Sequence, residues 1–184
     1  AHFFVEHDPA PNCLLHNEGG GRFRQVGLKA GVSFNEDGRA LSSMGVSTGD
    51  VDNDGREDLW VSANGNETFP LFRNLGKGLM MDITYPSGIG RQTMTATGWS
   101  NGIHDFNNDG LKDLFAACGA IDDNTETFSS RQSKQANKVL VNLGGLHFLD
   151  VSASAGKDFQ QLGAHRGAAF GDFDRDGRVD AVVS

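Results

Sequence analysis

Three copies of one acidic loop constrain this chain more than any other feature. Asp50-Val-Asp-Asn-Asp-Gly-Arg-Glu-Asp58, Asp105-Phe-Asn-Asn-Asp-Gly-Leu-Lys-Asp113 and Asp172-Phe-Asp-Arg-Asp-Gly-Arg-Val-Asp180 share the pattern D-x-[DN]-x-D-G-x-x-D. A second motif alternates with it, beginning at Asn17, Asn74 and Asn142. In register and without gaps, each copy has Asn at position 1, Gly at 3, Phe or Met at 7, Val or Ile at 10 and Gly at 15. From each Asn to the next acidic loop is 33, 31 and 30 residues. From acidic loop to the next Asn is 24 residues and then 37, and the excess of 13 falls on the polar stretch DDNTETFSSRQSKQ, an insertion at 122–135. Such internal repetition means that one structural unit recurs, and that neighbouring units complete each other's core.

Each unit reads as strands. Short apolar runs follow the loops (Leu59–Val61, Leu114–Ala117, Ala181–Val183) and precede each Asn (Cys13–Leu15, Pro70–Phe72, Val139–Val141). A small-residue run such as Gly167–Gly171 precedes each loop, and His147–Val151 alternates apolar with polar. No stretch of ten or more residues carries a helical period; runs this short, bounded by Gly and Asn, are strands. Four short strands in a repeat of about 60 residues predict an all-β chain of β-propeller blades, each a four-stranded antiparallel sheet, with a β-solenoid as the main alternative. The opening FFVEHDPAPNCLLHN parallels LWVSANGNETFPLFRN, so residues 1–184 are read as about three permuted repeats within one propeller domain. Three blades cannot close a ring of the usual size, about 4–8 blades, so further blades or other chains are required.

The acidic loop offers oxygens at positions 1, 3, 5 and 9, and glycine at 6 lets it curl, because glycine tolerates positive φ. Position 7 would then turn its carbonyl inward. An all-oxygen set of this kind suits a hard divalent cation, calcium better than magnesium. The spacing starts like an EF-hand loop, but the closing acid comes at 9 rather than 12 and no helix pattern flanks it. The competing reading is a solvated Asp/Asn/Gly turn, the weaker of the two even for a single copy; three in register favour the ion further. Three Ca²⁺ ions would move the formal charge from −8 to −2.

The loops and the Gly-Asp-Phe-Asp context resemble FG-GAP, or VCBS-type, repeats, as in integrin α-subunit propellers. The Asn-x-Gly segments followed by RGAAFGDFDRDG are further similar to the cartilage acidic protein family and its bacterial relatives. The resemblance implies a seven- or eight-bladed ring, calcium in the blade loops and an extracellular or periplasmic location. Carried over by position, it implies side-chain ligands Asp50, Asp52, Asp54 and Asp58; Asp105, Asn107, Asp109 and Asp113; and Asp172, Asp174, Asp176 and Asp180. Arg56, Leu111 and Arg178 would give backbone carbonyls. Asn107 removes one charge, which predicts the weakest site in the second loop, and His104 stands where the other two loops are preceded by Gly.

The remaining residues are less directive. The net charge of −8 with no basic stripe argues against nucleic acid, and no apolar run is long enough to span a bilayer. The N-terminus has no Met and no signal-like core, which leaves a mature product and a fragment both open. Cys13 and Cys118 lack metal spacing; unpaired buried thiols are expected, with a disulfide between them the alternative. The six histidines show no metal-like spacing, Trp60 and Trp99 read as core, Gly19–Gly21 reads as a hairpin turn, and Asn66-Glu-Thr68 is a glycosylation pattern. No nucleophile elbow or phosphate loop is present. The function expected is a non-catalytic calcium-binding scaffold for adhesion or protein interaction, with a protein or carbohydrate partner. The alternative is a polysaccharide lyase, a phosphodiesterase or another hydrolytic enzyme built on a propeller, for which Arg131, Lys134 and Lys138 are the nearest thing to a clamp on an acidic sugar.

Overall fold

The computed structural model describes residues 2–127 and 129–184; Phe128, inside the expected insertion, lies outside the described residues. All its sheets are antiparallel. The first holds β1 (His2–Val5), β2 (Cys13–Gly19) and β3 (Arg22–Gln25). The second is β4 (Ser43–Gly49), β5 (Asp58–Ala63), β6 (Leu71–Gly76) and β7 (Leu79–Asp82), in that order. The third repeats it with β8 (Gly98–His104), β9 (Asp113–Cys118), β10 (Lys138–Asn142) and β11 (Phe148–Asp150). The last pair is β12 (Ala168–Gly171) and β13 (Asp180–Val183). These are the four-stranded meanders expected of propeller blades, two complete and two partial, with each acidic loop joining a sheet's first strand to its second.

The second strand of each complete blade is apolar without alternation because both its faces are covered. Every residue of β5 and of β9 is buried. Leu59 and Val61 face the first sheet, packing with Leu14, Val32 and Phe72. Trp60 turns the other way, into a cluster with Phe69, Ile103, Leu114, Leu140 and Phe148 that fills the space between the second and third sheets. On β9, Leu114, Ala116 and Cys118 face this cluster, while Phe115 stacks edge-on against Phe159 and Phe170 on the other side. Burying both faces produces near-continuous hydrophobic runs.

The first strands are small-residue runs for a different reason: consecutive blades meet along them. A methyl group on Gly45 of β4 would collide with the Trp99 carbonyl oxygen of β8, and one on Gly102 with the Phe170 ring of β12. Polar side chains stitch the same seam. Asn101 Nδ2 donates to the Gly45 carbonyl (2.9 Å), Ser62 Oγ donates to the Trp99 carbonyl, and Ser100 Oγ donates to the Ala168 carbonyl (3.2 Å).

Periodicity could not signal the one-turn helices α1 (Gly27–Ala30), inside the first Asn motif, and α2 (Ile89–Thr93), just after the second, or the 3-10 turn at Ser152–Ser154 in the third. Position 15 of the motif is left-handed in all three copies (Gly31 φ 87°, Gly88 φ 84°, Gly156 φ 109°), which accounts for its glycine. Gly20 and Gly21 form the β2–β3 hairpin turn, both with positive φ. Trp60 is fully buried and Trp99 half-buried, and Cys13 and Cys118 are free, Cys13 only half-buried. Among the described residues no helix is long and apolar enough to cross a membrane.

The seam predicts unequal responses to two neighbouring substitutions. Gly45→Ala overpacks a backbone-to-backbone contact and should cost about 1–3 kcal/mol. Ser47→Ala removes a buried hydroxyl that has no hydrogen-bond partner among the described residues, and should be neutral or stabilising. Denaturant unfolding of both variants checks the contrast.

Candidate metal centres

The three acidic loops fold alike. Position 1 turns its carboxylate back over the loop: Asp50 accepts the N–H groups of Asp54 and Gly55 (3.0 and 2.7 Å), Asp105 those of Asp109 and Gly110 (3.1 and 2.9 Å), and Asp172 those of Asp176 and Gly177 (both 3.0 Å). Position 4 is left-handed in each (Asn53, Asn108, Arg175), as is the glycine at 6 (φ 85°, 87° and 84°). Left-handed residues at positions 4 and 6 give each loop its curl. Position 2 is the apolar anchor. Val51 is 1% exposed in the core, and Phe106 packs on His104, Phe115 and Phe170, whereas Phe173 is exposed. His104, before the second loop, uses its ring to fill space against Phe170 of the next sheet, 4.8 Å between centroids.

Position 9 does more than its spacing suggested. Asp58 and Asp113 are fully buried at the start of β5 and β9. Asp58 accepts the N–H of Val51 (3.0 Å) and of Asn74 (2.7 Å); Asp113 accepts that of Phe106 (3.1 Å) and of Asn142 (2.9 Å). Asp180 accepts the N–H of Phe173 (2.9 Å). The Asn of the second motif completes the clamp. Asn74 Nδ2 donates to the Glu57 carbonyl (2.9 Å), and Asn142 Nδ2 to those of Lys112 (3.0 Å) and Val51 (2.8 Å). Each Asn side-chain oxygen also accepts the N–H of the Gly two residues on, at Gly19, Gly76 and Gly144. The two sequence motifs are thus halves of one hydrogen-bonded unit. The loops are joined to one another as well: Asn53 Nδ2 donates to the Gly110 carbonyl (3.0 Å) and Asn108 Nδ2 to the Gly177 carbonyl (3.2 Å).

The carboxylates converge in two of the three loops. Oxygens of Asp50, Asp52 and Asp58 lie within 4.8 Å of one another, and so do those of Asp172, Asp174 and Asp176. Asp54 leans instead towards Arg56 and Arg73, and Asp180 towards its backbone partner. In the second loop Asn107 Nδ2 donates to Asp109 (2.9 Å), and Asp105, Asp109 and Asp113 form no such cluster among the described residues. Burial pushes the Asp58 carboxyl up to about 6 against the pull of the Asn74 and Val51 N–H groups, with Asp52 and Asp54 adding to the rise. Burial raises Asp113 as well. Burial also works upward on Asp50, but the Gly55 and Asp54 N–H groups, with Asp52 and Asn53, hold it below the ordinary value.

The residues present fit a hard divalent cation. Every candidate ligand atom is oxygen, and Asp52 Oδ1 is a buried carboxylate oxygen with no hydrogen-bond partner among the described residues. Such an atom carries a full desolvation cost unless something positive faces it.

Two features escaped the sequence reading. Arg73, the residue before Asn74, lies 2.6 Å from Asp52 Oδ2 and 3.5 Å from Asp54, and Arg56 pairs with Asp54 while donating to the Asn74 carbonyl (2.8 Å). Val141 takes the place of Arg73 beside the second loop. The third loop has only the exposed pair Arg178–Asp176, 3.5 Å apart. Separately, strand pairing brings His2 opposite His16, with Nε2 and Nδ1 2.8 Å apart, a proximity that chain spacing hides. Asn66 of the glycosylation pattern is exposed.

Two outcomes follow. Asn142→Ala, which removes two bonds to buried carbonyls, should cost about 2–3 kcal/mol and more than Asn74→Ala, as read by urea unfolding. Arg73→Gln removes a cation that competes for Asp52 and Asp54, so calorimetric titration should find calcium bound several-fold more tightly by the first loop of the variant.

Residues 50–116 and, overlapping them, 105–183 match the family described as FG-GAP-like repeat. Over 98% of its length the chain is 27% identical to cartilage acidic protein 1 of Homo sapiens, covering 25% of that protein, and 27% identical to cartilage acidic protein 1 of Mus musculus, covering 26%. The chain therefore spans about a quarter of the length of the curated relatives it matches. With repeat matches running from residue 50 to 183, the chain belongs to the FG-GAP-like repeat family.

Proposed function

We propose that residues 1–184 are consecutive blades of one calcium-stabilised propeller that works as a non-catalytic scaffold outside the cell, for adhesion or within a larger assembly. Further blades, from the same protein or from other chains, complete a ring of seven or eight. The observation that carries the calcium reading is Asp52 Oδ1, a buried carboxylate oxygen left without a partner inside the Asp50–Asp52–Asp58 cluster. Asp50, Asp52, Asp54 and Asp58 would hold the first ion with the Arg56 carbonyl. Asp105, Asn107, Asp109 and Asp113 would hold the second with the Leu111 carbonyl, and Asp172, Asp174, Asp176 and Asp180 the third with the Arg178 carbonyl.

The ion's contribution there is electrostatic: it offsets repulsion among crowded carboxylates. The chain's part is to present them, through the position-1 turn, the left-handed residues at 4 and 6 and the buried position-9 acid. Millimolar extracellular calcium matches the affinity range of such modules. The FG-GAP-like repeat match supports the scaffold reading, and the likeness to cartilage acidic protein 1 runs over nearly the whole chain.

Thermal melting in calcium, magnesium and excess chelator tests the proposal. Binding only to the folded state stabilises by about 2.7 kcal/mol per site at a hundredfold excess over Kd, or about 5–10 °C per site for a chain of this size. Chelation should lower the melting temperature by that amount per occupied site, with recovery in calcium and not in magnesium. An unchanged melt would reduce the loops to solvated turns.

A further inference from the structure

The insertion after β9 is folded back onto the blades, and its far end is pinned on two sides. Ala120 N–H donates to the Ser133 carbonyl (2.9 Å), Gln135 and Gly163 exchange both backbone bonds (2.8 and 3.1 Å), and the Gln135 side chain accepts the Thr97 N–H (2.9 Å). These contacts hold Arg131 and Lys134 over a cavity of about 480 Å³ that Lys138, Asn66 and Thr95 also line. The Arg131 guanidinium packs so closely over Gly65 that a methyl there would collide with Nη1.

Three cations therefore line one cavity in a chain of net charge −8; Lys138 is paired with Asp150 at 2.5 Å, which leaves Arg131 and Lys134, and no carboxylate lines the cavity among the described residues. Of the nearby acids, Glu126 accepts the Ser133 N–H and Glu67 accepts the Ser42 N–H, while Asp122 lines a smaller adjoining cavity that Arg131 also borders. Arg131 and Lys134 have no acidic partner among the described residues. Asn66 and Thr95, both exposed, have side chains free of hydrogen bonds to the described residues, and Leu162, 53% exposed, supplies an apolar rim.

We propose that this cavity binds an anionic carbohydrate, a sugar chain bearing carboxylate or sulfate groups. Arg131 and Lys134 take the anion, Asn66 and Thr95 meet hydroxyls, and Leu162 packs on the C–H face of a ring. A guanidinium matches carboxylate and sulfate oxygens in pairs, and a lysine adds a point charge. The proposal goes beyond the calcium reading and does not depend on it, since the cavity shares no residue with the acidic loops.

Calorimetric titration of the protein in calcium with an oligogalacturonate, a chondroitin sulfate oligosaccharide, a neutral oligosaccharide of equal length and an oligoglutamate tests it. The expected result is binding of one or both acidic sugars, weakening with salt and falling at least tenfold in Arg131→Gln/Lys134→Gln, with little response to the neutral sugar or the peptide. The better of the two acidic sugars identifies carboxylate or sulfate as the source of the anion. Gly65→Ala, which displaces Arg131 without removing charge, should also weaken binding. Absence of binding, binding equal in the double variant, or equal binding of oligoglutamate would overturn the proposal. The double variant's calcium-dependent melt should match that of the parent, so failure of the calcium reading is read separately.

Discussion

A carboxylate with no exposed surface, between two backbone N–H groups, is the interaction on which each blade depends. Asp58 and Asp113 each join three segments at one point: the acidic loop through position 2, the second strand through their own backbone, and the third strand through the N–H of the following Asn. Hydrogen bonds to an ionised acceptor are roughly twice as strong as neutral ones, but a buried charge held by only two of them is still costly, as the upward displacement of Asp58 to about 6 shows. The blade is therefore built around a group that gains from any further positive charge nearby. Arg73 and Arg56 provide some of it beside the first loop. An ion would provide more, most directly in the first and third loops, where the carboxylates converge.

The second constraint is packing between blades. Because β5 and β9 are covered on both faces, their apolar residues divide between two cores, and no blade has a complete core alone. The first strands carry glycine and serine where neighbours approach to backbone distance, which makes the seam intolerant of added volume. Hydrogen bonds across it, such as Asn101 to Gly45, satisfy polar groups that the close approach removes from water. Stability in such an array is a sum of unit and neighbour-interface terms, and here both pass through the same residues. Val51 is at once a loop position, a member of the inter-blade core and an acceptor for Asn142 of the next blade.

Much of this was legible in the sequence because repetition averages out accident. The Asn-x-Gly spacing, the glycine at position 6 and the apolar runs each recur, and each has a local cause: a side-chain cap on the N–H two residues on, a left-handed backbone, a strand covered on both faces. What stayed hidden is what does not repeat or is not local. Arg73 has no counterpart at Val141, so the register of the motif gave no reason to single it out. His2 and His16 meet only through strand pairing. The one-turn helices at Gly27–Ala30 and Ile89–Thr93 are too short to show a 3.6-residue period; the left-handed glycine of the motif ends the first (Gly31) and precedes the second (Gly88). The buried role of Asp58 was masked because an acid in a ligand pattern reads as a ligand, whereas the structure also gives it two backbone partners.

The loop-to-loop bonds change how the acidic clusters must be regarded. Asn53 reaches Gly110 and Asn108 reaches Gly177, so the three loops form one connected rim. The bonds run from an Asn side chain to a backbone carbonyl, so the conformation of one loop bears on that of the next. The position-6 carbonyl of each of the later two loops anchors the loop before it, so order at one glycine is passed to its neighbour through hydrogen bonds that salt does not weaken. The pattern D-x-[DN]-x-D-G-x-x-D is then better viewed as one turn of a hydrogen-bonded chain of loops than as three independent turns. The Asn at position 4, outside every ligand assignment, is the residue that couples them; Arg175 in the third loop marks where that register changes.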